Sequence, residues 1–534
     1  MTGGTVFVGG TVVTGDGTRP VTDALAVVDG RIAALGGDAL GLLRHAAERV
    51  DLAGGCLLPA FRDGHAHPLQ GGLELAGVPL SDARTVADLA AAVRRHAREN
   101  PTAQWIVGGG YEPALVAGGR FDRAWLDGAV ADRPVLLHAN DHHTAWVNSV
   151  ALERAGISAA TPDPPAGEIV RDADGSPLGT LRESAVALVA RLVPEPSALD
   201  KLAALDEAFR RYAACGVAWV QDAAVAPRDV GVYLRLAAGG DARCRSNGAL
   251  LASPRSWAAQ RSEFLAARAS AEREGAGQVT MRTVKFFADG VVESGTAALL
   301  EPYTDDPCSR GIANWTADEL AEAATAFDAD GFQLHIHAIG DAGIRTALDA
   351  VETVVRHAGP RDRRPVVAHV QLPDPADVPR FGALGVVANV EPLWLQLDAC
   401  MVELTVPRLG ARRSERQYPL RHLLRSGAVL SFGSDWPVSS MRPLEGLAVA
   451  VTRQTPAGEP TGGWLPGQRI TVAEALAAYT TGSAYQAFDD DAGRLVAGLV
   501  HLAEDPTVVA PGDIGAITVL GTWCGGRQTY GGEG

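Results

Sequence analysis

A chain of 534 residues, 47 % hydrophobic and 21 % charged, is too long for one small domain and fits a large α/β domain with an appendage, or two to three domains. Its 63 acidic and 47 basic residues give a net charge of −16 without any basic block, which argues against a nucleic-acid partner. No apolar stretch of about 18 residues offers a membrane span, and the N-terminal segment lacks the form of a secretory leader. Six scattered cysteines with no Cys-x-x-Cys pair point away from a disulfide framework or a thiolate zinc site, so free thiols in a reducing cytoplasm are expected.

In chain order, the first ~55 residues alternate short β-like runs with Asp-Gly turns, as in "TVFVGGTVVTGDG" and "ALAVVDGRIAALGG". The far C-terminus repeats this texture in "GLVHLAEDP" and "GAITVLGTWCGGRQTY". One small sheet domain built from both ends is therefore expected. In between, apolar runs alternate with helical stretches, the pattern of parallel βα units. Eight candidate strands fall at 56–61, 216–223, 243–252, 282–290, 332–338, 365–371, 385–392 and 429–437. Helices are expected at 199–214, at 374–384 and from Thr316, where Thr316-Ala-Asp-Glu319 has the capping-box form. Eight strands with intervening helices are what a (β/α)₈ barrel requires. The surplus over a typical barrel of about 250 residues is mostly one Gly- and Pro-rich insertion, 68–197, expected to form a lid or substrate-facing subdomain.

Catalytic groups of such a barrel gather at the carboxyl ends of its strands. Those ends carry His65 and His67, Lys285, His335 and His337, His369, and Asp435. One histidine in an apolar strand is ordinarily a core residue, but this whole set on one rim points to a metal site. His-x-His in extended backbone puts both rings on one face, and imidazole with carboxylate suits Zn²⁺ and related ions. Lys285 is the odd member, since an ammonium cannot ligate a cation; carboxylation by CO₂ would turn it into an anionic ligand. Asp435 could both ligate and accept a proton from water.

His65-Ala-His67, Lys285, His337, His369 and Asp435, in this order, resemble the metal site of the amidohydrolase superfamily. "HTAWVNSVAL" (143–152), "KFFADGVVESGTAALLEPYTD" (285–305), "HAIGD" (337–341), "HVQL" (369–372) and "GSDWPV" (433–438) narrow the likeness to amidohydrolase family 3, the branch that includes N-substituted formamide deformylases. The resemblance covers nearly the whole chain. It implies a (β/α)₈ barrel over 59–490 and an accessory β-sandwich from 1–58 and 491–534. It further implies one or two divalent metals, zinc by preference. His65, His67 and Asp435 would hold one ion and His337 and His369 a second, with a carboxylated Lys285 bridging them. The implied reaction is hydrolysis of an amide-type C–N bond of a small molecule by metal-activated hydroxide, Asp435 shuttling the proton. Hydrolysis of a cyclic amide, carbamate or ester, deamination, and a non-catalytic regulatory role are the alternatives, and a homodimer is allowed.

The resemblance also sets His143 and Asn148 over the metals, His143 against the substrate carbonyl; a loop-stabilising role is the other reading for both. His142 and His335 are less favoured, His335 as a packed barrel residue. Tyr111 and Trp146 either line an apolar pocket or fill a core. Asp289 either orients Lys285 or forms a turn. Three positions depart from the family pattern: Arg62 replaces an apolar residue, Ala368 a frequent Glu, and Glu391 a common Gln. Glu391 would either alter substrate choice or face solvent. A phosphate loop in "GGGYEPALVAGGR" and a serine-hydrolase elbow at Ser434 are both lacking their essential residues.

Overall fold

The computed structural model describes residues 4–15, 21–240, 243–490 and 498–531. The Asp16-Gly17 turn and the 491 boundary expected from the sequence lie outside the described residues.

Eight parallel strands form the central sheet. They are β1 Phe61–Ala66, β2 Val217–Val225, β3 Arg245–Leu251, β4 Val279–Phe287, β5 Gln333–Ala338, β6 Val366–His369, β7 Val387–Val390 and β8 Val429–Phe432. Each pairs in sequence order with the next. The ladder does not continue from β8 to β1. The nearly closed barrel is instead joined there just beyond the strands, where Asp435 N donates to His65 O at 2.7 Å and His67 N to Trp436 O at 2.8 Å. Gly433 makes this approach possible, because a Cβ there would lie 2.8 Å from the His65 backbone nitrogen.

Seven of the eight expected strands overlap those observed; the first needs correction. The run 56–61 is divided between two sheets. Cys56–Pro59 lies antiparallel to Gly498–Leu502, while Phe61 already pairs with Val217 in the barrel. An apolar run reads alike in either setting, so periodicity alone does not reveal the change of partner.

Both ends of the chain meet in a second eight-stranded sheet. Gly4–Val13 sits within it, and the C-terminal strands Gly498–Leu502, Val519–Cys524 and Arg527–Gly531 extend it past Cys56–Pro59. Asp29-Gly30 makes a two-residue hairpin with φ of 51° and 71°, the left-handed pair a type I′ turn demands. Between β1 and β2, strands from Val78–Pro79 to Pro177–Glu183 form a separate six-stranded sheet around its own apolar core.

The caps follow the sequence. Thr316 and Glu319 exchange the reciprocal bonds of a capping box at the start of Ala317–Ala329, and Ser197 and Asp200 do the same for Ala198–Ala214. The helix expected at 374–384 begins only at Val378, since Asp374 accepts from Ala376 N in a preceding turn. Among the described residues no helix is long and apolar enough to cross a membrane.

Candidate metal centre and active site

Strand alternation delivers His65, Lys285, His335, His337 and His369 to the barrel interior, all buried, with Asp435 just past β8. Register fixes their heights: Lys285 lies opposite His335, Phe287 opposite His337, and Ala338 opposite His369. His67 Nε2 is 3.0 Å and His65 Nε2 3.6 Å from Asp435 Oδ1. Lys285 Nζ is 3.3 Å from His65 Nε2. The His65 and His369 rings are 4.7 Å apart, and those of His337 and His369 4.6 Å. His369 and Asp435 both hold positive φ, 75° and 52°, a conformation that ordinary residues adopt only under local constraint and that clusters at functional sites.

The donors suit a divalent cation. One ligand atom each from His65, His369 and Asp435 falls within 4.8 Å of the others. Burial, with the neighbouring Lys285 second, holds His65 and His335 well below the usual imidazole range, and burial with His369 does the same for His337. These rings are thus neutral at pH 7 and have lone pairs to give. Burial alone would raise the Asp435 carboxyl, but the hydrogen bond and charge of His67 outweigh it and hold it below its ordinary value. Its Oδ1 is buried and faces both His65 Nε2 and His67 Nε2, so three potential ligand atoms converge there.

The residues around the cluster are only partly legible in the sequence. His335 Nε2 sits 2.9 Å from His65 Nδ1, so this packed barrel histidine also fixes a neighbour. Glu391 neither faces solvent nor reaches the cavity; it is fully buried and its Oε2 lies 2.8 Å from His369 Nδ1. Asp289 does not hold Lys285. It accepts from the backbone N–H of Ala298, Ile339 and Gly340, tying the loop after β4 to the end of β5, and burial pushes it up to about 7. Arg62, odd in an apolar run, is buried against Trp219 with its charge met by Asp489 at 2.5 Å.

A cavity of about 580 Å³ opens over the cluster, with His143, His337, His369, Trp394 and Asp435 in its wall. His143 Nδ1 is 2.9 Å from Glu183 Oε2, and its ring centre is 5.3 Å from that of His337. Burial would lower this imidazole, yet the Glu183 charge and hydrogen bond overcome it and raise it to about 9, so it carries a proton at neutral pH. Glu183 itself sits in "LRESA", which has no signature; only the fold brings it across 40 residues.

Asn148, Tyr111 and Trp146 are not brought to this cavity. Asn148 is buried and spends its amide on structure: Oδ1 accepts from Val135 N and Ala151 N, while Nδ2 donates to Val130 O and Arg133 O. Trp146 donates to Asp122 O and packs with Tyr111 and Phe121 in the core of the six-stranded sheet. Their expected substrate contacts give way to packing.

Comparison with known proteins bears on family and fold. The model of the Amidohydrolase family matches residues 48–530. Protein LONG AFTER FAR-RED 3 of Arabidopsis thaliana is 32 % identical over 98 % of this chain and 90 % of its own. The N-substituted formamide deformylase of Arthrobacter pascens is 28 % identical over 98 % of both. Among solved structures, a metal-dependent hydrolase from Pyrococcus furiosus superposes with a TM-score of 0.70 at 25 % identity, covering 92 % of this chain and 96 % of that one. With its barrel, its ring of imidazoles and this match over most of its length, the chain belongs to the amidohydrolase family.

Proposed function

We propose that the protein is a metal-dependent hydrolase that cleaves a C–N bond of the amide or N-substituted formamide type in a small molecule. The observation that carries this reading is the buried cluster of His65, His337, His369 and Asp435 with His67 beside it, under a cavity whose wall holds His143. The related formamide deformylase supports the bond type. The barrel over 59–490 would carry the chemistry and the terminal sheet, 1–58 with 491–534, would be an accessory domain.

His65, His67 and Asp435 would hold one divalent ion, zinc by preference, with His337 and His369 available for a second. When bound, such an ion supplies Lewis acidity and lowers the pKa of water towards ~7. Asp435 takes the proton of the attacking water and returns it to the leaving nitrogen, acting as base and then acid. The His143 imidazolium donates to the carbonyl oxygen as negative charge develops there. Burial pushes the Lys285 ammonium down to about 8, which makes its neutral amine far more accessible near neutral pH than that of a free lysine. That form adds CO₂ and releases a proton, giving a carbamate that could serve as a shared anionic ligand.

Two measurements test the reading together. Elemental mass spectrometry of protein purified without chelator should give one or two zinc-like ions per chain, two supporting the shared Lys285 ligand. Asp435→Asn should lower turnover of N-formyl and N-acyl amines by about 10²–10⁴-fold; unchanged turnover would remove the proton shuttle, and absence of metal after reconstitution would remove the hydrolase.

A further inference from the structure

Glu391 follows the last residue of β7 and is wholly enclosed. Its Oε2 is 2.8 Å from His369 Nδ1, whereas its Oε1 is buried with no hydrogen-bond partner. On the other side, the Trp394 indole lies flat on the His369 ring, centroids 5.2 Å apart and planes 8° from parallel. The indole fixes the plane of the imidazole, and the carboxylate fixes its rotation within that plane.

A neutral imidazole carries hydrogen on one nitrogen and a lone pair on the other. A carboxylate only accepts, so the hydrogen of His369 belongs on Nδ1 and the lone pair on Nε2. We infer that Glu391 is a positioning residue, which locks His369 in the Nδ1–H tautomer and thereby offers Nε2 to a metal ion. The contact also draws the Nδ1 hydrogen towards the acceptor and makes Nε2 a better donor. His337 is arranged the other way round, its Nε2 lying 3.2 Å from the Gly290 carbonyl and leaving Nδ1 as the open nitrogen. Sequence spacing alone would treat the two histidines as equivalent ligands. The inference rests on the metal-hydrolase reading above.

The test is competition for Zn²⁺ between metal-stripped full-length protein and a chromophoric chelator. Glu391→Gln keeps an acceptor oxygen but loses the charge, and should weaken zinc binding about tenfold; Glu391→Leu should weaken it about a hundredfold. A purely structural role would lower the melting temperature of the stripped variants and leave zinc affinity within twofold of wild type, which would overturn the inference. Histidine ¹⁵N spectra of the wild-type protein, assigned by comparison with His369→Gln, decide independently of how Glu391→Leu folds. Hydrogen on Nδ1 supports the lock, and hydrogen on Nε2 overturns it. Failure of wild-type protein to bind zinc would overturn the hydrolase reading together with this inference, whereas full affinity in both variants would overturn the inference alone.

Discussion

His143 owes its charge chiefly to Glu183, with Asp141 and Glu293 adding to the effect. With Glu183 2.9 Å away the imidazolium persists through neutral pH and is lost only as pH rises through about 9. Replacing Glu183 by Gln removes the largest cause of the upward shift, so the alkaline limb of kcat/KM should move to lower pH while the acid limb stays put. A pH–rate profile of the two proteins checks this, and coincident alkaline limbs would show that His143 does not act as a cation. At this scale the clustered histidines and Asp435 are readable in the sequence, because His-x-His and single polar residues in apolar strands stand out locally. Glu183 and Glu391 are not, since their meaning depends on partners 40 and 22 residues away.

Within elements, caps are local and strand partners are not. The boxes at Thr316 and Ser197 use residues three apart, so sequence shows them. The division of 56–61 between two sheets depends on Gly498–Leu502, which lies at the far end of the chain. Asn148 shows the same difference: its motif resembled a substrate contact, yet it caps Ser149–Ala155 and satisfies four backbone groups. Asn148→Ala should therefore cost about 2–3 kcal/mol, the sum of a lost cap and buried groups left unpaired. Denaturant unfolding should register that loss while KM of the folded variant stays unchanged; a raised KM at full stability would restore the substrate role.

At the scale of the whole molecule, acidic side chains from separate parts of the chain gather around the cavity. Glu112, Asp141, Glu293 and Asp398 all border the cavity, and burial followed by Asp141 raises Glu293 to about 7. N-formyl compounds bearing a carboxylate should accordingly show higher KM than neutral or cationic analogues of the same size, a gap that narrows in high salt. Equal KM at low salt would show that this wall does not select by charge.

The gap between β8 and β1 would give an ion held by the proposed ligands a mechanical part to play. His65 and His67 stand on one side of the opening and Asp435 on the other, with two backbone hydrogen bonds between them. An ion held by all three would act as a clasp on the hoop of strands, and at a hundredfold excess over its dissociation constant it would add about 2.7 kcal/mol to stability. Chelation should then speed amide hydrogen exchange at 64–67 and 433–436 well before β3 to β6 respond, so the barrel would unbuckle where the proposed ion had closed it.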